Sequence, residues 1–144
     1  GRGITVPCPN AKVSSRQRRL AGNLLEAIGK AAWVADENLM NAVTAVSGPG
    51  PAYVFLLAEA MTKAGIAAGL PAELAARLAR ETVSGSGELL HRSPLDAATL
   101  RENVTSPGGT TAAALEVLMG PGGFGELLIR AIAAATRRGR ELAG

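Results

Sequence analysis

A mainly α-helical domain, preceded by a short β-α-β segment, is the fold class this sequence predicts. Three observations predict it. Strand-like residues are confined to the beginning of the chain, at Ile4-Thr5-Val6 and Ala32-Trp33-Val34. From Asp36 onward, Ala- and Leu-rich runs with helical spacing alternate with Gly- and Pro-rich stops. Hydrophobic residues make up 47 % of the 144, yet aromatics only 3 %, so the core must be built from small and aliphatic side chains. Such a core lets helices approach closely but buries little area per residue. A domain of this kind is expected to gain stability by sharing its core with a second copy.

Residues 3–8 read as a strand or its end, closed by Pro7 and Pro9. Residues 14–29 read as a helix capped by Ser14 or Ser15, with Leu20, Leu24, Leu25 and Ile28 as its apolar stripe and Gly29 as its stop. Ala32-Trp33-Val34 is a second extended piece. Two strands do not make a stable sheet, so this beginning reads as the edge of a domain whose remainder lies elsewhere. Asp36 caps a short helix over 37–45. The helix over 51–68 carries Tyr53-Val54-Phe55-Leu56-Leu57-Ala58, apolar on all sides, and is expected to be buried on more than one face. Gly69-Leu70-Pro71 is a stop followed by a start. The helix over 72–91 turns Leu74, Leu78, Val83, Leu89 and Leu90 inward. Gly85 and Gly87 interrupt it at about 1 kcal/mol each relative to Ala, a cost that suits a closely crossing helix. Ser93-Pro94 opens a short helix to about Asn103, residues 109–119 form the next, and 124–142 the last. That last helix lines up Phe124, Leu127, Leu128, Ala131, Ile132 and Ala135.

Several function classes find no support. One cysteine, Cys8, excludes an internal disulfide and a Cys-based metal cluster; no metal is expected. The one histidine, His91, reads as a helix-end surface residue. The Arg137, Arg138 and Arg140 run complements a helix C-terminus and has no aromatic residues interleaved, so no nucleic-acid partner is expected. No run of about 18 apolar residues occurs, so no membrane span is expected. Gly120-Pro121-Gly122-Gly123-Phe124-Gly125 matches G-x-G-x-x-G, but a helix precedes it where a dinucleotide fingerprint needs a strand. It reads as an interhelical turn.

Two turns remain. Ser47-Gly48-Pro49-Gly50-Pro51-Ala52-Tyr53 and Thr105-Ser106-Pro107-Gly108-Gly109-Thr110-Thr111 each run straight into a helix. In the first, Gly48, Gly50, Ala52 and Tyr53 have N–H groups and Ser47 a hydroxyl. In the second, Gly108, Gly109, Thr110 and Thr111 have N–H groups, and Ser106, Thr110 and Thr111 hydroxyls. Free N–H groups at a positive helix end suit a carboxylate. Ordinary interhelical turns remain the alternative on composition alone. With no Cys–His pair, Ser-His-Asp set or metal cluster in view, the segment reads as a cup that orients a small molecule while a cofactor supplies the chemistry.

The run Asn41-Ala42-Val43-Thr44-Ala45-Val46-Ser47-Gly48-Pro49-Gly50-Pro51-Ala52-Tyr53 resembles the first signature of the pyrroline-5-carboxylate reductases, and Asn103-Val104-Thr105-Ser106-Pro107-Gly108-Gly109-Thr110-Thr111 resembles the second. Gly65, Gly69-Leu70-Pro71 and Gly122-Gly123-Phe124 follow the family's order, so the resemblance covers essentially the whole chain. One position departs from it: the family usually carries Ser where Pro49 stands, and Pro49 lacks both that hydroxyl and an N–H. The resemblance implies NAD(P)H-dependent reduction of 1-pyrroline-5-carboxylate to L-proline in the cytoplasm. It implies a C-terminal remnant of a Rossmann domain over 1–35. Residues 36–144 are then an all-helical dimerisation and substrate domain, of the type found at the C-terminus of 6-phosphogluconate dehydrogenase. A homodimer is implied, and a larger assembly such as a decamer. Ser106, Gly108, Gly109, Thr110 and Thr111 then line the substrate, with Thr111 hydrogen-bonding the imine nitrogen as the catalytic group. Asn103, Ser47 and Gly48 lie toward the nicotinamide of NADP or NAD. The family's Gly-rich cofactor loop is not in this sequence, so the chain is expected to fold and dimerise, to hold no cofactor and to be inactive alone. Two other readings stay open: a purely structural helical association module, and the helical domain of a hydroxyacid dehydrogenase, for which Lys63 is the only lysine in the helical part.

Overall fold

The computed structural model describes residues 3–144. They fall into two compact units, Gly1–Pro49 with Ala131–Gly144, and Gly50–Arg130.

In the first unit, β1 (Gly3–Thr5) and β2 (Gly29–Ala31) pair in parallel, with Ile4 opposite Lys30, and α1 (Ser15–Glu26) is the crossover between them. Both strands are shorter or earlier than the sequence suggests. Pro7 and Pro9 carry no N–H, so regular pairing ends at Thr5. The expected strand at Ala32–Val34 is an extension of β2, where Ala32 and Val34 donate to the carbonyls of Thr5 and Pro7 at 3.0 and 3.1 Å. Ser14 caps α1 in a reciprocal box with Gln17. Arg18 lies 4.8 Å from the centre of the Trp33 ring, a cation–π contact joining α1 to the segment after β2. Asp36 caps as expected, accepting from the Asn38 N–H, but it opens a 3₁₀ turn (Glu37–Leu39) that leads into α2 (Met40–Ser47) rather than one helix. Ala45 is buried. A Cβ on Gly139 would come within 2.9 Å of Asn41 Oδ1, so the Asn41 side chain on α2 packs against this glycine and would have to shift for a larger residue.

The second unit is organised by the hairpin of α3 (Gly50–Ala67) and α4 (Ala72–Arg92). Gly69 ends α3 at φ +100°, as the stop signal predicts. The inward face of α4 is one residue off the expected leucine stripe. Ala75 and Ala79 are buried and Val83 half-buried, while Leu74, Leu78, Leu89 and Leu90 are all exposed. Small residues face α3 because the helices nearly touch: a Cβ on Gly65 would lie 3.2 Å from that of Ala75. Nothing lies within 4 Å of a Cβ on Gly85 or Gly87, so the closely crossing helix expected there is not supplied by the described residues. Nor is α3 buried on several faces: Val54, Phe55, Leu56 and Leu57 are exposed, Phe55 by 70 %. Next come α5 (Ala97–Asn103), α6 (Thr110–Met119) and α7 (Phe124–Leu142), whose bounds match the expected last helix. Of its predicted stripe, Leu128, Ile132 and Ala135 are half-buried, and Phe124 and Leu127 exposed.

The cap of α5 is Asp96, not Ser93. Its carboxylate accepts the Thr99 N–H at 2.9 Å and the Thr99 hydroxyl at 3.1 Å. These donors hold the Asp96 carboxyl below its usual value. A carboxyl with a depressed folded-state pKa adds stability above its unfolded value, about 3.9, and loses it as pH falls through the lower folded value. The melting-temperature gap between wild type and Asp96→Ala is therefore expected to be full at about pH 7 and to close below about pH 4. A gap that stays constant into that acid range rules the carboxylate cap out.

Only Ala45, Ala75 and Ala79 are buried among the described residues. The chain exposes 10,921 Å², against about 6,900 Å² for a folded monomer of its mass. The excess, about 4,000 Å², is well above the roughly 800 Å² that a standard interface hides on each partner. No single helix is long and apolar enough to cross a membrane among the described residues.

Candidate functional site

The Thr105–Thr111 turn joins α5 to α6 and has a defined conformation. Gly108 sits at φ +68°, a left-handed geometry that costs a side-chain-bearing residue about 1 kcal/mol or more. Gly109 donates to the Ser106 carbonyl at 3.0 Å and is the N-cap of α6, with no side chain capping the helix. The first intrahelical bond is Ala113 N–H to Gly109 C=O at 3.2 Å, so the N–H groups of Thr110, Thr111 and Ala112 precede the ladder and stay open to a ligand. Of the donors counted from the sequence, the Gly109 N–H is spent inside the turn. Ser106, Gly108 and Thr110 are exposed, and Thr111 is half-buried in the first turn of α6. Asn103, the last residue of α5, is exposed four positions before Pro107. The helix N-terminus favours a negative charge here. The nearest guanidinium in sequence, Arg101, is paired with Glu102 at 3.3 Å. A carboxylate at this turn is thus read by N–H and hydroxyl groups.

Ser47 and Gly48 belong to the other unit and close α2. The Ser47 hydroxyl donates to the Val43 carbonyl at 2.9 Å and the Gly48 N–H to the Thr44 carbonyl at 2.8 Å. Both donors are engaged in ending the helix, so a ligand meets only the lone pairs of the Ser47 hydroxyl. α3 starts at Gly50.

The remaining candidates sort by surroundings. Gly120–Gly123 joins α6 to α7, with Gly123 N–H bonded to Gly120 C=O at 2.9 Å, an interhelical turn as expected, and Phe124 and Gly125 open α7. The β1–α1 connection, residues 6–14, contains no glycine. This β-α crossover therefore lacks the glycines of a dinucleotide fingerprint. Lys63 pairs with Glu59 one helical turn away, both well exposed, and this pairing holds the Glu59 carboxyl below its usual value. A lysine in that setting has no cleft to act in. His91 is exposed in the last turn of α4. Among the described residues no group of His, Cys, Asp and Glu could hold a metal ion. Thr105, to which the sequence assigns no role, is half-buried and its hydroxyl donates to the Arg101 carbonyl at 2.7 Å. The sequence signal for it is a Thr just past a helix end, the position where a hydroxyl can bond back four residues.

Residues 37–142 match the family model for pyrroline-5-carboxylate reductase dimerisation. The chain is 48 % identical over 134 residues to the pyrroline-5-carboxylate reductase of Pseudomonas aeruginosa, covering 93 % of this chain and 49 % of that protein. It is 44 % identical over 142 residues to the Synechocystis reductase, covering 99 % and 52 %. The chain thus spans about half the length of the curated relatives it matches. The solved Coxiella burnetii reductase superposes with a TM-score of 0.88 at 39 % identity, over 98 % of this chain and 52 % of that one. The Plasmodium falciparum enzyme, solved with NADP bound, gives 0.77 at 31 % identity, over 99 % and 54 %. Matched over most of its length in both sequence and fold, the chain belongs to the pyrroline-5-carboxylate reductase dimerisation family.

Proposed function

We propose that this chain supplies the substrate side and the dimer contact of a cytoplasmic pyrroline-5-carboxylate reductase, which reduces the C=N bond of 1-pyrroline-5-carboxylate to give L-proline. The observation that carries the reading is the α5–α6 turn, with its open N–H groups at an uncapped helix start. The substrate carboxylate takes the N–H groups of Thr110 and Thr111 and the hydroxyls of Ser106 and Thr110, while Gly108 and Gly109 keep side chains out of its way. The ring nitrogen then faces the Thr111 hydroxyl. A bound nicotinamide, NADPH or NADH, would supply the hydride for the imine carbon. As the nitrogen gains the electron pair, the Thr111 hydroxyl donates a hydrogen bond to it, and a proton taken from solvent water completes the amine. Asn103, at the end of α5, takes the nicotinamide end. Residues 1–35 belong with a dinucleotide-binding domain and 36–144 form the helical domain; the pyrophosphate is held outside the described residues of this chain.

Family membership supports a homodimer, and the surface excess gives it a physical cause. Assembly beyond a dimer, such as a decamer, is part of the same proposal, with no role for nucleic acid or membrane. The direct test is an amide-shift titration of the chain with L-proline, the product. Shifts at Gly108–Thr111 at millimolar proline are expected. If those amides stay still while the chain is folded, the substrate reading falls and a purely structural association module takes its place.

A further inference from the structure

We infer that Thr105 is a positioning residue for the α5–α6 turn: its hydroxyl fixes the turn and quiets the negative helix end that abuts it. The inference rests on the substrate reading above and extends it to a residue outside the cup.

The argument starts from electrostatics. A carboxylate seat at the start of α6 comes only a few residues after the end of α5, whose last carbonyls carry partial negative charge. Unsatisfied, these acceptors repel an arriving anion and draw the turn's own N–H groups toward themselves. The structure gives two of them, those of Arg101 and Glu102, their donors. Val104 N–H is shared between the carbonyls of Arg101 and Glu102, and Thr105 N–H donates to Glu102 at 2.9 Å. The Thr105 hydroxyl adds the shortest of these bonds, 2.7 Å to Arg101. Two residues therefore bring three donors to two of the last carbonyls, those of Arg101 and Glu102.

Geometry adds a second effect. Thr105 is half-buried, and the bond fixes its χ1 and so the direction in which the chain leaves α5. Ser106 comes directly after it, and its carbonyl accepts from Gly109. The turn is thus tied at its entrance by Thr105 and across its middle by Gly109, which leaves the open N–H groups of Thr110 and Thr111 pointing in one fixed direction. Preorganised donors bind an anion without first ordering a loop.

The test uses Thr105→Val, which keeps the branched shape and drops the hydroxyl, and Thr105→Ser, which restores it. Expected for Thr105→Val are about tenfold faster exchange of the Gly109 amide in ligand-free protein and an about tenfold higher proline midpoint at Gly108–Thr111. Thr105→Ser should return both to near wild type. A purely structural role would lower the melting temperature and leave the proline midpoint of the folded protein alone. Should Thr105→Val fold poorly, Thr105→Ala is held to the same two readouts. Unchanged Gly109 exchange in the folded variant overturns the inference whether or not proline binds. Faster exchange in a protein whose wild type ignores proline overturns the substrate seat, and with it the binding role of Thr105, while its hold on the turn stands.

Discussion

Replacing Thr111 with valine is expected to lower imine reduction on the order of 100-fold, about 2.7 kcal/mol of transition-state stabilisation. The assay is NADPH oxidation by the Pseudomonas aeruginosa reductase carrying this chain in place of its matching segment. Valine matches threonine in shape and cannot donate, so the turn and the carboxylate contacts survive. What disappears is a hydrogen bond that strengthens as the nitrogen takes on the electron pair. The loss should fall mainly on kcat, with KM moving little, because the bond is worth more in the transition state than in the ground state. Thr111→Ser keeps the donor and should keep most of the rate. A valine variant within twofold of its parent removes Thr111 from the reaction.

The second large effect concerns α3. Phe55 is 70 % and Leu56 62 % exposed, neighbours in a run that includes exposed Val54 and Leu57. Such a patch is out of place on a soluble monomer. Light scattering is expected to give the wild type about twice its 14.6 kDa chain mass. Phe55→Glu with Leu56→Glu should raise the dimer dissociation constant on the order of a thousandfold, from two lost apolar anchors on each copy and four charges placed in the contact. A double variant that keeps the wild-type mass places the dimer contact on another face.

What the sequence made legible was local. Ser14, Asp36 and Gly69 act as the caps and stop they resemble, because each works through atoms within four residues of itself. The α5–α6 turn was visible for the same reason, since its glycines and hydroxyls are consecutive. Errors arose where two local signals competed or a distant partner decided. Ser93 and Asp96 both offer a cap, and Ser93 is instead used by the Leu95 N–H at 3.1 Å. The pairing frame of β2 is set by β1, some 25 residues away, which no local pattern encodes. On α4 the leucine stripe suggested an inner face, yet Ala75 and Ala79 take it. Donor counting could not tell that Gly48 spends its N–H on a carbonyl of α2 and Gly109 on one of its own turn.

Three buried alanines are too small a core to hold a chain of this length alone. In the proposed homodimer, folding and pairing would be coupled in one bimolecular event, and fitness would belong to the pair. A copy weakened at its contact face still pairs with a sound one and degrades it. Harmful variants of such a subunit should act dominantly when both are made in the same cell, whereas a fault confined to the α5–α6 turn leaves the partner's fold intact.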